Sequence, residues 1–240
     1  MESFIINLAG VPVGIECQYS STKEYCRRYL TVCRPEYTVT VTNQDIEYEK
    51  AHLQLPHSDA YHETLALYRL ICECLCERDI FLLHGSAIAV DGEVYIFIAP
   101  SGTGKSTHTA LWRKALSSEH DVMMVNDDKP LLKVTEERVF ACGTPWSGVY
   151  RLETNCQMPV KAICMLYRDS SNHIEPLPSD KGFSCLYRHS YLPRNPGRAK
   201  EALDLLIKTA ERVSFYSLGC KPDEDAALTA FQVMKKGGKT

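Results

Sequence analysis

The chain has no excess of charge of either sign. Its 27 Lys and Arg stand against 30 Asp and Glu, a formal net charge of −3 over 240 residues. This excludes the broad basic footprint that draws a protein onto nucleic acid or anionic lipid, so neither partner is expected. Long hydrophobic runs are also missing. The most apolar stretches, around Phe81–Val90 and Val94–Ala99, fall short of the ~18 residues of a membrane span. No C-x-x-C pair occurs, so the 11 cysteines do not read as a structural zinc site. Their odd number, and an opening Met-Glu-Ser-Phe without a basic segment or an apolar segment after it, give the expectation of reduced thiols in a cytoplasm. Repeats and low-complexity linkers are absent as well. With 45% hydrophobic and 24% charged residues, the composition is that of an ordinary globular protein.

The pattern along the chain predicts a small N-terminal α+β unit over residues 1–78 and a larger α/β unit over 79–240. In the first, Phe4–Leu8 and Val11–Glu16 read as a hairpin turning at Ala9-Gly10. Ser20-Ser21-Thr22 starts a short helix reaching toward Leu30, and the alternating, β-branched Tyr37–Thr42 reads as a strand. Leu53–Ala60 reads as a loop, and His52, His57 and His62, spaced by five, are expected in solvent. Tyr61–Arg78 is the strongest helix, and its helical spacing puts Cys72 and Cys76 on one face with Cys74 pointing away.

In the second unit, Ile80–Val90 and Glu93–Ala99 form a hairpin about Asp91-Gly92. A helix from Lys105 to Leu116 follows, then strands at Val122–Val125, Leu131–Val134, Val139–Cys142, Ala162–Tyr167 and His173–Pro176. A helix over Pro196–Arg212, a strand over Ser214–Leu218 and a helix from Asp223 to about Lys235 complete the unit, before a frayed Gly-Gly-Lys-Thr tail.

The strongest chemical signal is Ala99-Pro-Ser-Gly-Thr-Gly-Lys-Ser106, between a strand and a helix. It fits G-x-x-x-x-G-K-[ST] with Ala99 in place of the first glycine. Gly102 and Gly104 let backbone N–H groups turn inward as an anion nest, and the helix adds its positive end. Ser101, Gly102, Thr103, Gly104, Lys105, Ser106 and Thr107 are therefore expected to bind nucleotide phosphates, with Lys105 on the β/γ-phosphates and Ser106 on Mg²⁺. The apolar strand ending in Asn126-Asp127-Asp128 begins soon after that helix, so its end can lie beside the loop. Two adjacent carboxylates allow one to hold metal while the other takes a proton. His84, in Leu-Leu-His-Gly-Ser-Ala, stands in the strand antiparallel to the one feeding the loop, where it can orient a catalytic carboxylate. Gly85 after it suggests close backbone approach. The preceding antiparallel strand points away from GTPases and the doubly wound small-metabolite kinases.

Together His84-Gly85, the hairpin, Ala99–Ser106 and Asp127-Asp128 resemble HPr kinase/phosphorylase and its small HPr-kinase-like kin, whose core is shared with ATP-dependent phosphoenolpyruvate carboxykinases. The resemblance covers about Ile80 to Cys142. It implies an α/β, phosphate-loop core with a mixed sheet, plus the small N-terminal unit, and an ATP- and Mg²⁺-dependent kinase. Such an enzyme would transfer the γ-phosphoryl group to a serine-type hydroxyl of a peptide or small molecule. By the same resemblance Asp127 is the base, Asp128 assists Ser106 at the metal, Lys105 binds phosphate and His84 contacts the base. The family's later glycine-rich signature is not found, which leaves phosphorolysis without its support. Self-association, common in the family, is compatible with this chain. Two other readings stand beside this one: an HPr-type protein serine kinase, and a non-catalytic ATP-binding sensor or peptide-binding protein. Gly143–Arg151, with Trp146 and Arg151, reads as a loop facing the acceptor or as ordinary core and lid. The cluster Arg188, Arg194, Arg198 and Lys200 reads as acidic-substrate recruitment or, more simply, as a solvated surface.

Overall fold

A computed structural model describes residues 1–53 and 57–237. The N-terminal hairpin pairs β1 (Glu2–Leu8) with β2 (Val11–Cys17), and β3 (Tyr37–Thr40) adds to β2 in parallel. Between them α1 (Ser20–Tyr25) runs into a 3₁₀ turn over Arg27–Tyr29. Next come α2 (Asn43–His52), which the sequence pattern did not suggest, and α3 (Asp59–Leu75), which packs on the three-stranded sheet. Of the expected loop over residues 53–60, residues 54–56 lie outside the described residues, as do residues 238–240 of the tail.

His62 corrects an expectation: it is 2% exposed, not solvated. Because α3 starts at Asp59, His62 and Glu63 turn inward against the sheet and α1. The His62 Nδ1 lies 2.9 Å from the Ser58 carbonyl, and buried Glu63 accepts from the Gln18 N–H, the Tyr19 N–H and the Thr22 hydroxyl. Cys72 and Cys76 are buried and Cys74 is half-buried, as helical spacing requires.

The larger sheet is mixed and curled. Its strands are β4 (Ile80–Leu82), β5 (Ser86–Val90), β6 (Glu93–Ile98), β7 (Val122–Asn126), β8 (Leu131–Val134), β9 (Val139–Cys142), β10 (Gln157–Arg168), β11 (His173–Leu177) and β12 (Ser214–Cys220). The twelve-residue β10 joins two halves. Its start pairs antiparallel with β9; from Val160 it pairs in parallel with β6, with a register shift between Val160 and Ala162, and from Ala162 also with β12. One half runs β4-β8-β9, and the other runs outward from β10 through β6 and β5 to β7, with β12 and β11 on its other side.

Residues alternate along β5 and β6. Ala87, Ala89, Ile96 and Ile98 face α5 (Ser179–His189) and α6 (Pro196–Arg212), while Ile88, Val90, Tyr95 and Phe97 face α4 (Lys105–Leu116) and α7 (Glu224–Met234). Both faces are thus covered, which is why these strands read as continuous apolar runs. The N-terminal sheet and α3 share their own core with Leu131, Cys142 and Trp146. Among the described residues no helix is long and apolar enough to cross a membrane.

The expected single strand over Ile80–Val90 is two. β4 pairs with β8 while β5 pairs with β6 and β7, and Leu83-His84-Gly85 makes the break. Gly85 sits so close to β6 that a Cβ there would lie 3.0 Å from the Phe97 carbonyl, and its N–H donates to the Asp128 carbonyl at 3.0 Å. That backbone contact draws the chain out of β4 and starts β5 in a different part of the sheet.

Candidate functional site

The sheet's directions assemble the site. β5 is antiparallel to both β6 and β7, so the residues before Ser86 lie at the same edge as the ends of β6 and β7. Three segments meet there: His84-Gly85, the 99–104 loop after β6, and Asn126-Asp127-Asp128 after β7.

The loop carries Gly102 at φ +76° and Gly104 at φ +123°, backbone that side-chain-bearing residues rarely adopt. Lys105 opens α4 and is mostly buried. Its Nζ donates to the Ala99 carbonyl at 3.0 Å, folding the ammonium back over the loop. Burial lowers its proton affinity, against the opposing pull of the Asp128 charge. Ser106, one residue on, is exposed. Arg168, at the end of the neighbouring parallel strand β10, donates to the Gly102 carbonyl at 2.7 Å and the Thr103 carbonyl at 3.3 Å. Sequence reasoning did not single out Arg168. Its signal lies in topology: the end of a strand parallel to β6 must fall beside the loop that follows β6.

Asn126, to which the sequence assigns only a place at the end of the apolar strand, organises the site. Fully buried, its Nδ2 donates to the Thr144 carbonyl at 3.1 Å and its Oδ1 accepts from the N–H groups of Asp128 at 2.9 Å and Lys129 at 2.7 Å. One amide therefore shapes the Asp doublet and ties it to the 143–148 segment. The Ser86 hydroxyl donates to the Asp127 carbonyl at 2.8 Å.

The two carboxylates then diverge. Asp127 is 4% exposed, and one of its oxygens accepts from the Gly148 N–H. A Cβ on Gly148 would come within 2.5 Å of the Asp127 carboxylate, so only glycine allows this contact. Burial, helped by the negative charges of Asp128 and Glu153, raises the proton affinity of Asp127 above the ordinary aspartate range. Asp128 goes the other way. Burial alone would raise it, but hydrogen bonds and charges from His84 and Lys129 hold it down at about 2. Its Oδ1 lies 3.2 Å from His84 Nε2, and its Oδ2 pairs with Lys129 Nζ. This corrects the expectation for His84, which stands in the break between two strands and contacts Asp128, not Asp127.

Two cavities flank the start of α4. One, of about 440 Å³, is bounded by Gly104, His108 and Leu111 on one side of the helix and by Tyr167, Arg168 and Lys221 across from them. The other, of about 580 Å³, is bounded by Ser106, Thr109 and Arg113 on the opposite side, with Met124, Asp127 and Tyr150. Thr107 lines both.

The other candidates lie elsewhere or are already engaged. Trp146 is core: its ring stacks on Tyr68 at 4.1 Å and its Nε1 donates to the Thr64 carbonyl at 2.7 Å. Arg151 turns toward the N-terminal unit, with its guanidinium 4.2 Å over the Tyr25 ring and 3.5 Å from Glu153. Arg198 pairs with Glu77 at 2.7 Å and Arg194 lies 3.9 Å over the Tyr48 ring, so that part of the basic cluster holds the fold.

Magnesium can be tested against these side chains. It prefers hard oxygen donors, and it commonly uses only one or two from the protein, with phosphates and water completing the shell. Among the described residues no group of three or more His, Cys, Asp or Glu is placed to hold a metal. The Ser106 hydroxyl and a doublet carboxylate supply the right donor type.

No protein-family model and no curated protein matches the chain. Among solved structures it is similar to the Hpr(Ser) kinase/phosphatase from Coxiella burnetii, over 65% of this chain and 99% of that one, at 11% identity and a TM-score of 0.36.

Proposed function

We propose that the chain is an ATP- and Mg²⁺-dependent kinase that transfers the γ-phosphoryl group to the hydroxyl of a peptide or small molecule. The observation that carries this reading is Asp127: a buried carboxylate of raised proton affinity, lining the same cavity as Ser106 at the start of a glycine-loop helix. A base so tuned, beside a phosphate-type loop, suits proton removal from an acceptor hydroxyl.

The loop N–H groups and the start of α4 bind the phosphates, and Lys105 exchanges the Ala99 carbonyl for a phosphate oxygen. The 440 Å³ cavity takes the nucleoside, so the phosphates cross the loop toward Asp127. Ser106 and Asp128 would hold Mg²⁺, which when bound neutralises phosphate charge. Asp128 suits that task because it stays ionised at every physiological pH and is a poor base. A cation there takes over the charge balance now provided by Lys129. In the transfer the acceptor oxygen forms a bond to the γ-phosphorus while the bond from that phosphorus to the β–γ bridging oxygen breaks. ADP leaves, and the hydroxyl proton passes to Asp127. Positioning and charge do most of this work.

The test is thermal unfolding with and without Mg-ATP. A ligand that binds only the folded chain must raise the melting temperature, and at 100 times Kd the gain is about 2.7 kcal/mol. Lys105→Ala is expected to lose most of that shift. An unchanged wild-type curve at millimolar Mg-ATP removes the nucleotide from this reading.

A further inference from the structure

The 580 Å³ cavity holds a group that the proposed chemistry does not use. Arg113 lies on the face of α4 that also carries Ser106, Thr109 and Ala110, at the spacing i, i+3, i+4, i+7 of one helix side. Its Nε is buried without a hydrogen-bond partner, so an occupant of the cavity would meet the terminal nitrogens of the guanidinium. Arg69 is engaged with Asp45 and Glu49, Arg78 with Glu36 and Arg198 with Glu77, while Arg34, Arg138 and Arg188 are exposed. Arg113 forms no ion pair among the described residues, although Asp127 lines the same cavity. A guanidinium is always charged, and one that lines a cavity without an ion pair leaves its terminal N–H donors free for an anion.

The remaining walls indicate what that anion is. Met124, Leu152 and the Tyr150 ring are apolar, and Tyr150 is exposed at the cavity's edge. Asp127 and Arg113 line the same cavity of about 580 Å³, so an occupant that presents its hydroxyl to Asp127 and its other end to Arg113 is a small molecule or a peptide end. It also carries an anion at the far end, since a planar guanidinium recognises carboxylate or phosphate through paired N–H donors. Resting on the kinase reading above, we infer that the acceptor is a small hydroxylated anion whose carboxylate or phosphate is bound by Arg113.

The experiment offers γ-labelled ATP with paired acceptors that differ only at the far group: serine against serinamide, and glycerate and glycerol phosphate against glyceramide and glycerol. A seryl peptide with a free or amidated C-terminus forms a further pair. The expected result is that acceptors are found among the anions, with kcat/KM at least tenfold above the neutral counterpart, and the glycerate and glycerol phosphate arms distinguish carboxylate from phosphate. Arg113→Gln is expected to raise KM for the anion about tenfold or more and to collapse the anion-to-neutral ratio toward one. Arg113→Lys should recover part of it. Retention of the Mg-ATP melting shift by both variants shows that they are folded. Neutral acceptors used as well as anions, an unchanged ratio in Arg113→Gln, or a wild type that binds Mg-ATP yet accepts none of the anions would each overturn the inference. Absence of the Mg-ATP shift in the wild type is a separate result, which removes the kinase reading itself.

Discussion

Two neighbouring carboxylates have been pushed in opposite directions by what surrounds them. Asp127 has burial, two nearby negative charges and one Gly148 N–H; Asp128 has His84 and Lys129. A carboxyl group that holds its proton more tightly is the better base, and one held at about 2 is the better fixed charge. Asp127→Asn is therefore expected to keep the Mg-ATP melting shift and to cut transfer by about 100-fold or more, read as kcat with labelled ATP. Asp128→Asn should instead raise the Mg²⁺ concentration needed for half-maximal rate. Wild-type turnover by Asp127→Asn would make the doublet purely a charge site. The doublet itself was legible as two acids ending an apolar strand. The partner of His84 was not, because consecutive side chains diverge as the chain leaves β7, and only the register of β5 against β7 decides which of the two His84 meets.

At the scale of the element, α4 does most to divide the site, and one of its residues reports on its packing. His108 is 3% exposed, its Nε2 accepts from Trp112 Nε1 at 3.0 Å, and burial pushes its proton affinity down to about 4 from an ordinary 6.5. The folded chain therefore holds it neutral while the unfolded chain protonates it near pH 6.5. Its contribution to stability is complete above about pH 6.5 and is lost as pH falls toward 4, an amount of roughly 3 kcal/mol. Melting temperatures between pH 7.5 and 4.5 should fall, and His108→Gln should flatten that part of the curve. A variant that kept the full slope would move the pH dependence to other groups.

Helices show where sequence patterns stop working. α4, expected after the glycine loop, and α6, expected over Pro196–Arg212, have ends that coincide with the expected ones. α2 was missed because only Ile46 is buried on it. It is held by a Thr42–Asp45 capping box and by Arg69, which reaches Asp45 and Glu49. α5 was missed because Gly182 interrupts its pattern. There the helix packs so tightly on Phe215 that a Cβ would come within 2.7 Å of the ring.

Across the whole molecule, the 143–153 segment links the N-terminal sheet to the site. Trp146, one of the largest fully buried side chains, makes the link. Its ring stacks on Tyr68 of α3, its N–H is bonded to Thr64, and its carbonyl lies 3.3 Å from the Asn126 amide that shapes the Asp doublet. Two residues later Gly148 donates to Asp127, and three residues beyond that Arg151 lies over Tyr25 of α1. Trp146→Ala opens a large cavity in the core shared by both parts and is expected to cost about 3–5 kcal/mol. It should also lower kcat, because the Gly148 N–H loses its fixed place beside the base. Trp146→Phe keeps most of the stacking area and loses only the indole N–H, so it should cost less on both counts. Chemical denaturation checks the first part and transfer kinetics the second. If the N-terminal sheet and the larger sheet are coupled through this segment, Trp146→Ala shifts a single transition to lower denaturant. If instead a first, smaller transition moves while the second stays and kcat is unchanged, the N-terminal unit is independent of the site and the link through Trp146 is only packing.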